Sequence, residues 1–216
     1  MGSSERDEFL RAAWRALVCG RSDGGRFVFV DECSTNTSLA PIYGRSRRGE
    51  RVCFEAPRNW GANITLLSSM TLEGMGPSLA VDGATTKAVF ETYIERVLAP
   101  TLSPRRIVVM DNLSSHKSSR IRELIEDRGC ELFYLPPYSP DLNPIEEAFA
   151  KLKALLRKKA GARTREALLE AMGRALDAVT ASDAWGMGLL RTSRLPPTGS
   201  ITMTDALDHD VDELMA

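Results

Sequence analysis

The sequence has few of the residues that most metal and redox chemistry uses: its 216 residues include two histidines and four cysteines. Cys19, Cys33, Cys53 and Cys130 form no CxxC pair, so the spacing excludes a zinc clasp. The charged start MGSSERDEFL is not a secretory leader, so a disulfide framework is not expected and the thiols read as buried and free. No apolar run reaches the length of a membrane span, and the chain is predicted to be cytoplasmic. Internal repeats are absent, which excludes a solenoid. Net charge is nearly absent too, at −1, but it is unevenly spread. Asp205, Asp208, Asp210, Asp212 and Glu213 crowd the last 16 residues, so residues 1–200 carry 28 basic against 24 acidic groups. A nucleic-acid partner therefore remains open. At 43% hydrophobic and 26% charged, the composition is that of a globular protein with one substantial core.

Along the chain, apolar runs of helical and strand type alternate, predicting an α/β fold. Phe9, Leu10, Ala13 and Leu17 recur at helical spacing, making residues 1–25 an N-terminal helix and lead-in. RFVFVD (26–31) and RIVVMD (106–111) are continuous β-branched and aromatic runs. They read as strands buried on both faces, each with a carboxylate at its tip. YGRSRRGERV (43–52) reads as a solvated loop or hairpin, NITLLSSMTL (63–72) as a strand and EGMG (73–76) as a turn. Phe90, Tyr93, Ile94 and Val97 predict an amphipathic helix over 85–99. A helix over 117–128 ends at Gly129 and a strand follows at 131–135. After the connector PPYSPDLNP come a helix with the apolar face Ile145, Ala148, Phe149, Leu152 and Leu156 and a helical stripe from Thr164 to Thr180.

Three acids stand out by position. Asp31 and Asp111 each end a strand, where open α/β sheets bind ligands, and Glu146 begins the helix after the connector. Three carboxylates around one point repel unless a hard cation offsets them, and all-oxygen ligation suits Mg²⁺ or Mn²⁺. A pair of such ions can serve a phosphodiester displacement. Plainer readings stand beside this one. A strand-end Asp is often a turn former, and Glu146, three residues after Asn143 with Pro144 between, can complete a helix capping box.

The stretches FVDE (29–32), VVMDNLSSHK (108–117) and LPPYSPDLNPIEEAFAKLK (135–153) resemble the catalytic domain of bacterial insertion-sequence transposases of the IS630 group, relatives of Tc1/mariner. The resemblance spans about residues 26–185, and the family's SPDLNPIE signature stands unsubstituted at 139–146. It implies an RNase H-like fold, a mixed central sheet flanked by helices. It also implies a DDE triad of Asp31, Asp111 and Glu146 that is both catalytic and metal-binding, with Mg²⁺ or Mn²⁺, two ions, as cofactor. Glu147 is not implied. The 34 residues between Asp111 and Glu146 match the gap the group requires. The implied function is metal-dependent cleavage and strand transfer of DNA, element ends and target alike, by a bacterial protein that is nucleoid-associated when bound. A stand-alone RNase H-type nuclease or resolvase shares the chemistry but does not predict the signature.

Asn112, His116, Arg45, Arg47, Arg48, Lys153 and Arg157 are the candidate DNA contacts. Lys153 and Arg157 share a helical stripe with Glu146 and can follow a phosphate backbone. A local turn bond for Asn112, a structural role for His116 and a solvated helix face for the two basic residues are the alternatives. Family members carry helix-turn-helix modules upstream, for which this chain has no room. The expectation is the downstream half of a split transposase or a truncated copy, working with a separate helix-turn-helix subunit, an intact transposase or a second copy as homodimer. The alternative is an inactive remnant that binds DNA or regulates the intact enzyme. Residues 186–216 depart from the family's ending and read as a disordered, frameshift-like tail, or as one containing a short docked helix over 205–215.

Overall fold

The structure is a computed structural model, and it describes residues 7–20, 24–41, 43–53, 61, 63–113, 116–158 and 162–184. The tail expected from residue 186 onward lies outside the described residues, as does the possible helix at 205–215.

A five-stranded mixed sheet carries the fold, built from β1 (Phe27–Thr35), β2 (Ile64–Thr71), β3 (Gly74–Asp82), β4 (Ile107–Met110) and β5 (Glu131–Tyr134) in the order β3-β2-β1-β4-β5. β2 pairs antiparallel with both β1 and β3, whereas β4 pairs in parallel with both β1 and β5. The two continuous apolar runs are the central strands because both faces are covered. Phe27, Phe29, Ile107 and Val109 pack on one side with α1 (Glu8–Gly20), α4 (Pro144–Lys158) and α5 (Arg165–Asp177). Val28, Val30, Val108 and Met110 pack on the other with α2 (Lys87–Tyr93) and α3 (Ser119–Glu126). A four-residue helix, α6 (Ala181–Ala184), follows α5.

Local chemistry sets the boundaries. Ser118 and Thr164 cap α3 and α5, accepting from Ile121 N and Ala167 N, each at 3.2 Å, and Gly129 leaves α3 with φ 67°, a conformation glycine adopts without strain. All five apolar residues expected to face the core from α4 are buried.

Four expectations are corrected. Asp31 does not end its strand: β1 runs on to Thr35 because antiparallel β2 continues beside it after parallel β4 has stopped. The run after EGMG is not merely a turn but starts β3, whose Pro77 is tolerated because β3 is an edge strand. The helix at 85–99 stays α-helical only to Tyr93, passes through a π turn at Ile94–Leu98 and ends in a 3₁₀ turn, Ala99–Thr101. Leu98 is buried in the π turn, and Val97 is partly buried against the same cluster, as its spacing predicts. Cys53 is exposed, unlike the buried Cys33 and Cys130.

The face of α1 also differs. Phe9 is exposed, while Trp14 and Val18 enter the core beside a fully buried Arg11. Arg11 is accommodated there because its guanidinium grips Asp141 with two hydrogen bonds, Nη1 to Oδ1 at 3.0 Å and Nη2 to Oδ2 at 2.6 Å, with Glu8 at 3.3 Å. Asp141 lies in the 3₁₀ turn Pro140–Leu142 just before α4. The pair therefore ties the N-terminal helix to the connector across 130 residues of sequence. Hydrogen bonding to Asp141 raises the Arg11 pKa against the pull of burial. Removing one partner strands a buried charge. Asp141→Ala is expected to destabilise the protein by about 2 kcal/mol, and Arg11→Met by less because it leaves no buried charge; thermal unfolding of both variants checks this.

Candidate active site

Strand alternation and parallel register bring the two aspartates together. Residues 27, 29 and 31 of β1 and 107 and 109 of β4 point to the α4 side, and Asp111 follows directly after the end of β4. Phe29 pairs with Val109, so the next inward-facing residues in register are Asp31 and Asp111. α4 starts over the same end of the sheet and brings Glu146 in its first turn. All three acids line one cleft of about 330 Å³, with Asn112, Leu113, Asn143 and residues 135–140 of the connector. Glu147 is exposed and is not among the lining residues.

The two aspartates are held differently from the glutamate. Asp31 is 6% exposed; its Oδ1 accepts from Glu32 N at 2.7 Å and its Oδ2 from Asn143 Nδ2 at 2.8 Å. Burial pushes its pKa up to about 7; Glu32 N opposes this, Asp111 and Glu146 add to it and His116 lowers it. Asp111 is hydrogen-bonded through Oδ1 to His116 Nδ1 and more weakly to Leu113 N at 3.4 Å. Glu146 stands exposed on α4. Among the described residues no group of three His, Cys, Asp or Glu side chains is gathered closely enough to hold a metal as placed. The acids share the cleft, and only Glu146, being exposed, has side-chain freedom to swing toward the other two.

The donor set nevertheless fits a hard cation. It is all oxygen, and the buried Oδ1 atoms of Asn143 and Asn112 have no hydrogen-bond partner. The capping-box reading fits less well, because Asn143 turns its side chain to Asp31, while Glu146 N meets Asn143 only at its backbone carbonyl, 3.2 Å away.

The other candidates are dispersed. His116, for which a DNA contact and a structural role were both open, is 1% exposed, stacked on Phe90 with ring centroids 4.0 Å apart, and turns Nδ1 to the carboxylate of Asp111. Asn112 does line the cleft, and its Oδ1 makes no turn bond. Arg45, Arg47 and Arg48 lie on an exposed loop between β1 and β2 and do not line the cleft. Lys153 is half-buried and reaches Cys33, the next inward-facing residue of β1 after Asp31, where it opposes the rise that burial causes in the thiol's pKa. Arg157 is half-buried one turn further along α4. Sequence reasoning missed Arg11, the bond from Asn143 to Asp31, and Tyr138. The Pro-flanked connector was the available signal for the last two.

The family model for DDE superfamily endonucleases matches residues 26–169. The chain belongs to this family. The endonuclease domain is similar to the transposable element Tcb2 transposase of Caenorhabditis briggsae, 27% identical over 166 residues, covering 71% of this chain and 61% of that protein. It is also similar to the Tc1 transposase of Caenorhabditis elegans, 25% identical over 165 residues, covering 71% and 60%. The chain thus spans about three-fifths of the length of these relatives. Its fold matches the Mos1 transposase paired-end complex with left transposon end at TM-score 0.70 and 18% identity, over 89% of this chain and 64% of that one. It also matches the Mos1 catalytic domain with Raltegravir and Mg at TM-score 0.60 and 17% identity, over 83% and 89%. The endonuclease domain thus has the expected RNase H-like fold and is similar to Tc1/mariner transposases.

The raised pKa of Asp31 links stability to pH. Unfolded, the carboxyl ionises near 3.8; folded, it holds its proton to about 7. Its contribution is therefore fully present below pH 4 and lost as pH rises toward 7. At about 1.4 kcal/mol per tenfold change in ionisation constant, ionising it costs the metal-free fold on the order of 4 kcal/mol. Asp31→Asn is expected to melt several degrees above the wild type at pH 8 in chelator, with the gain vanishing at pH 4; parallel melting curves across pH check this.

Proposed function

We propose that this chain is the catalytic domain of an insertion-sequence transposase, residues 26–185, that cuts DNA at the element ends and joins the freed 3′ end to target DNA. The observation that carries the reading is the convergence of Asp31, Asp111 and Glu146 on one cleft within the stretch that the endonuclease family matches. Relatives named as transposases and a fold shared with transposase–DNA complexes support it.

Asp31, Asp111 and Glu146 would hold Mg²⁺ or Mn²⁺, two ions when fully loaded. These supply the charge that activates the attacking oxygen and offsets charge on the leaving one. The chain's own groups position. Asn143 and Glu32 N fix the Asp31 carboxylate, and His116, braced on Phe90, fixes Asp111. Holding phosphate and nucleophile in line at such a site supplies much of the acceleration without a covalent protein intermediate. Arg45, Arg47, Arg48, Lys153 and Arg157 supply phosphate contacts, which position DNA without reading its sequence. A separate helix-turn-helix subunit, an intact transposase or a second copy would join the domain at the element ends.

Incubating the purified chain with Mg²⁺ or Mn²⁺ and DNA carrying the flanking element ends tests this. Nicking is expected only with the metal. Asp111→Asn is expected to reduce it to background while melting no lower than wild type in chelator, because one of two repelling charges is gone. DNA affinity is expected to fall steeply with salt. Undiminished nicking by Asp111→Asn overturns the assignment, and metal-independent DNA binding without nicking under any metal favours the regulatory remnant.

A further inference from the structure

Among the described residues five large hydrophobic side chains stand exposed: Phe9, Tyr43, Val52, Leu113 and Tyr138. Two of them, Leu113 and Tyr138, line the carboxylate cleft, although strand cleavage at the three acids makes no use of them. Tyr138 is 58% exposed, and its φ of 53° is a left-handed backbone that a bulky side chain rarely adopts. Such strain persists where the surroundings over-determine it and gathers at ligand clamps. Here Pro136 and Pro137 precede the residue and Pro140 follows it. Ser139 Oγ donates to Pro137 O at 3.1 Å, Leu142 N donates to Ser139 O at 3.0 Å, and Asp141 is anchored on the buried Arg11. The ring is thus mounted on a rigid turn that also leads into the helix bearing Glu146. Leu113 is tied to the chemistry from the other side, since its N–H meets the carboxylate of Asp111.

The cleft therefore has an anionic floor suited, through a cation, to a phosphate, and a rim offering a flat aromatic ring and an aliphatic side chain. A ligand that matches both is a nucleotide whose base has left the helical stack. We propose that Tyr138, with Leu113 on the same rim, forms a stacking subsite for one unpaired nucleobase next to the phosphate held at the carboxylates. The subsite rests on the reading of this chain as a DNA-cutting domain and extends it. A base inside a duplex shows a protein only its edges, so the subsite is open to single strands and melted ends and closed to intact duplex.

The test uses the full chain in Ca²⁺ with a short strand of abasic residues carrying one central 2-aminopurine, and a matched strand that is abasic throughout. Wild type and Tyr138→Phe are expected to bind the first strand and quench its fluorescence. Tyr138→Ala is expected to lose the quenching and bind about tenfold more weakly, as base–aromatic stacking predicts. On the abasic strand Tyr138→Ala should cost nothing, because the stacked base is already missing. Equal quenching by wild type and Tyr138→Ala, or an equal loss of affinity on both strands, overturns the subsite while metal-dependent nicking survives. Failure of the wild type to bind either strand overturns the subsite and the DNA-cutting reading together.

Discussion

The parallel register of β1 and β4 is the constraint on which the site depends. Once Phe29 lies opposite Val109, the pleat leaves no other place for the next inward-facing residues than side by side, and both are aspartates. The sheet is buried on both faces, so Asp31 lies where water screens it poorly, while Asp111 is partly open to solvent. Burial alone drives Asp31 toward its protonated form, and the neighbouring acids push in the same direction. A proton or a cation would offset the like charges gathered at this end of the sheet. The same geometry that weakens the metal-free protein would favour a hard cation.

Around this pair the structure separates rigid from adjustable ligands. Asp31 is fixed by Asn143 and a backbone amide, and Asp111 by His116, whose own ring is braced on Phe90 and whose carbonyl accepts from Tyr134 Oη at 3.1 Å. Glu146 alone has open space about it. It is carried by a helix whose approach is set by the connector, and the connector is pinned to the N-terminal helix through Arg11 and Asp141. α1 therefore contributes to the site without touching the cleft. Unpartnered buried oxygens on Asn112 and Asn143 are places where a cation or its water shell would satisfy groups the protein itself does not.

Much of this was legible in the sequence where burial is two-sided or periodic. RFVFVD and RIVVMD could only be central strands, and the stripe on α4 is buried residue for residue as its spacing predicts. The SPDLNPIE signature identified the third acid, which spacing alone left open to a capping role. What was not legible depends on distant partners. The polar second half of β1 is a strand only because β2 runs beside it, and Pro77 concealed an edge strand. Arg11 reads as a surface residue until Asp141, 130 positions away, meets it. For His116 the sequence left a DNA contact and a structural role both open, because nothing near it in the chain shows that Phe90 covers its ring. The π turn at Ile94–Leu98 has no signature in an amphipathic pattern.

The central claim is that Asp31, Asp111 and Glu146 form a single cation site created by the β1–β4 register. Anomalous diffraction from crystals of the protein grown with Mn²⁺ tests it most directly. Manganese is expected between the Asp31 and Asp111 carboxylates, with Glu146 rotated in as a ligand and Glu147 left in solvent. Manganese bound elsewhere, or bound through Glu147 with Asp31 uninvolved, would contradict it.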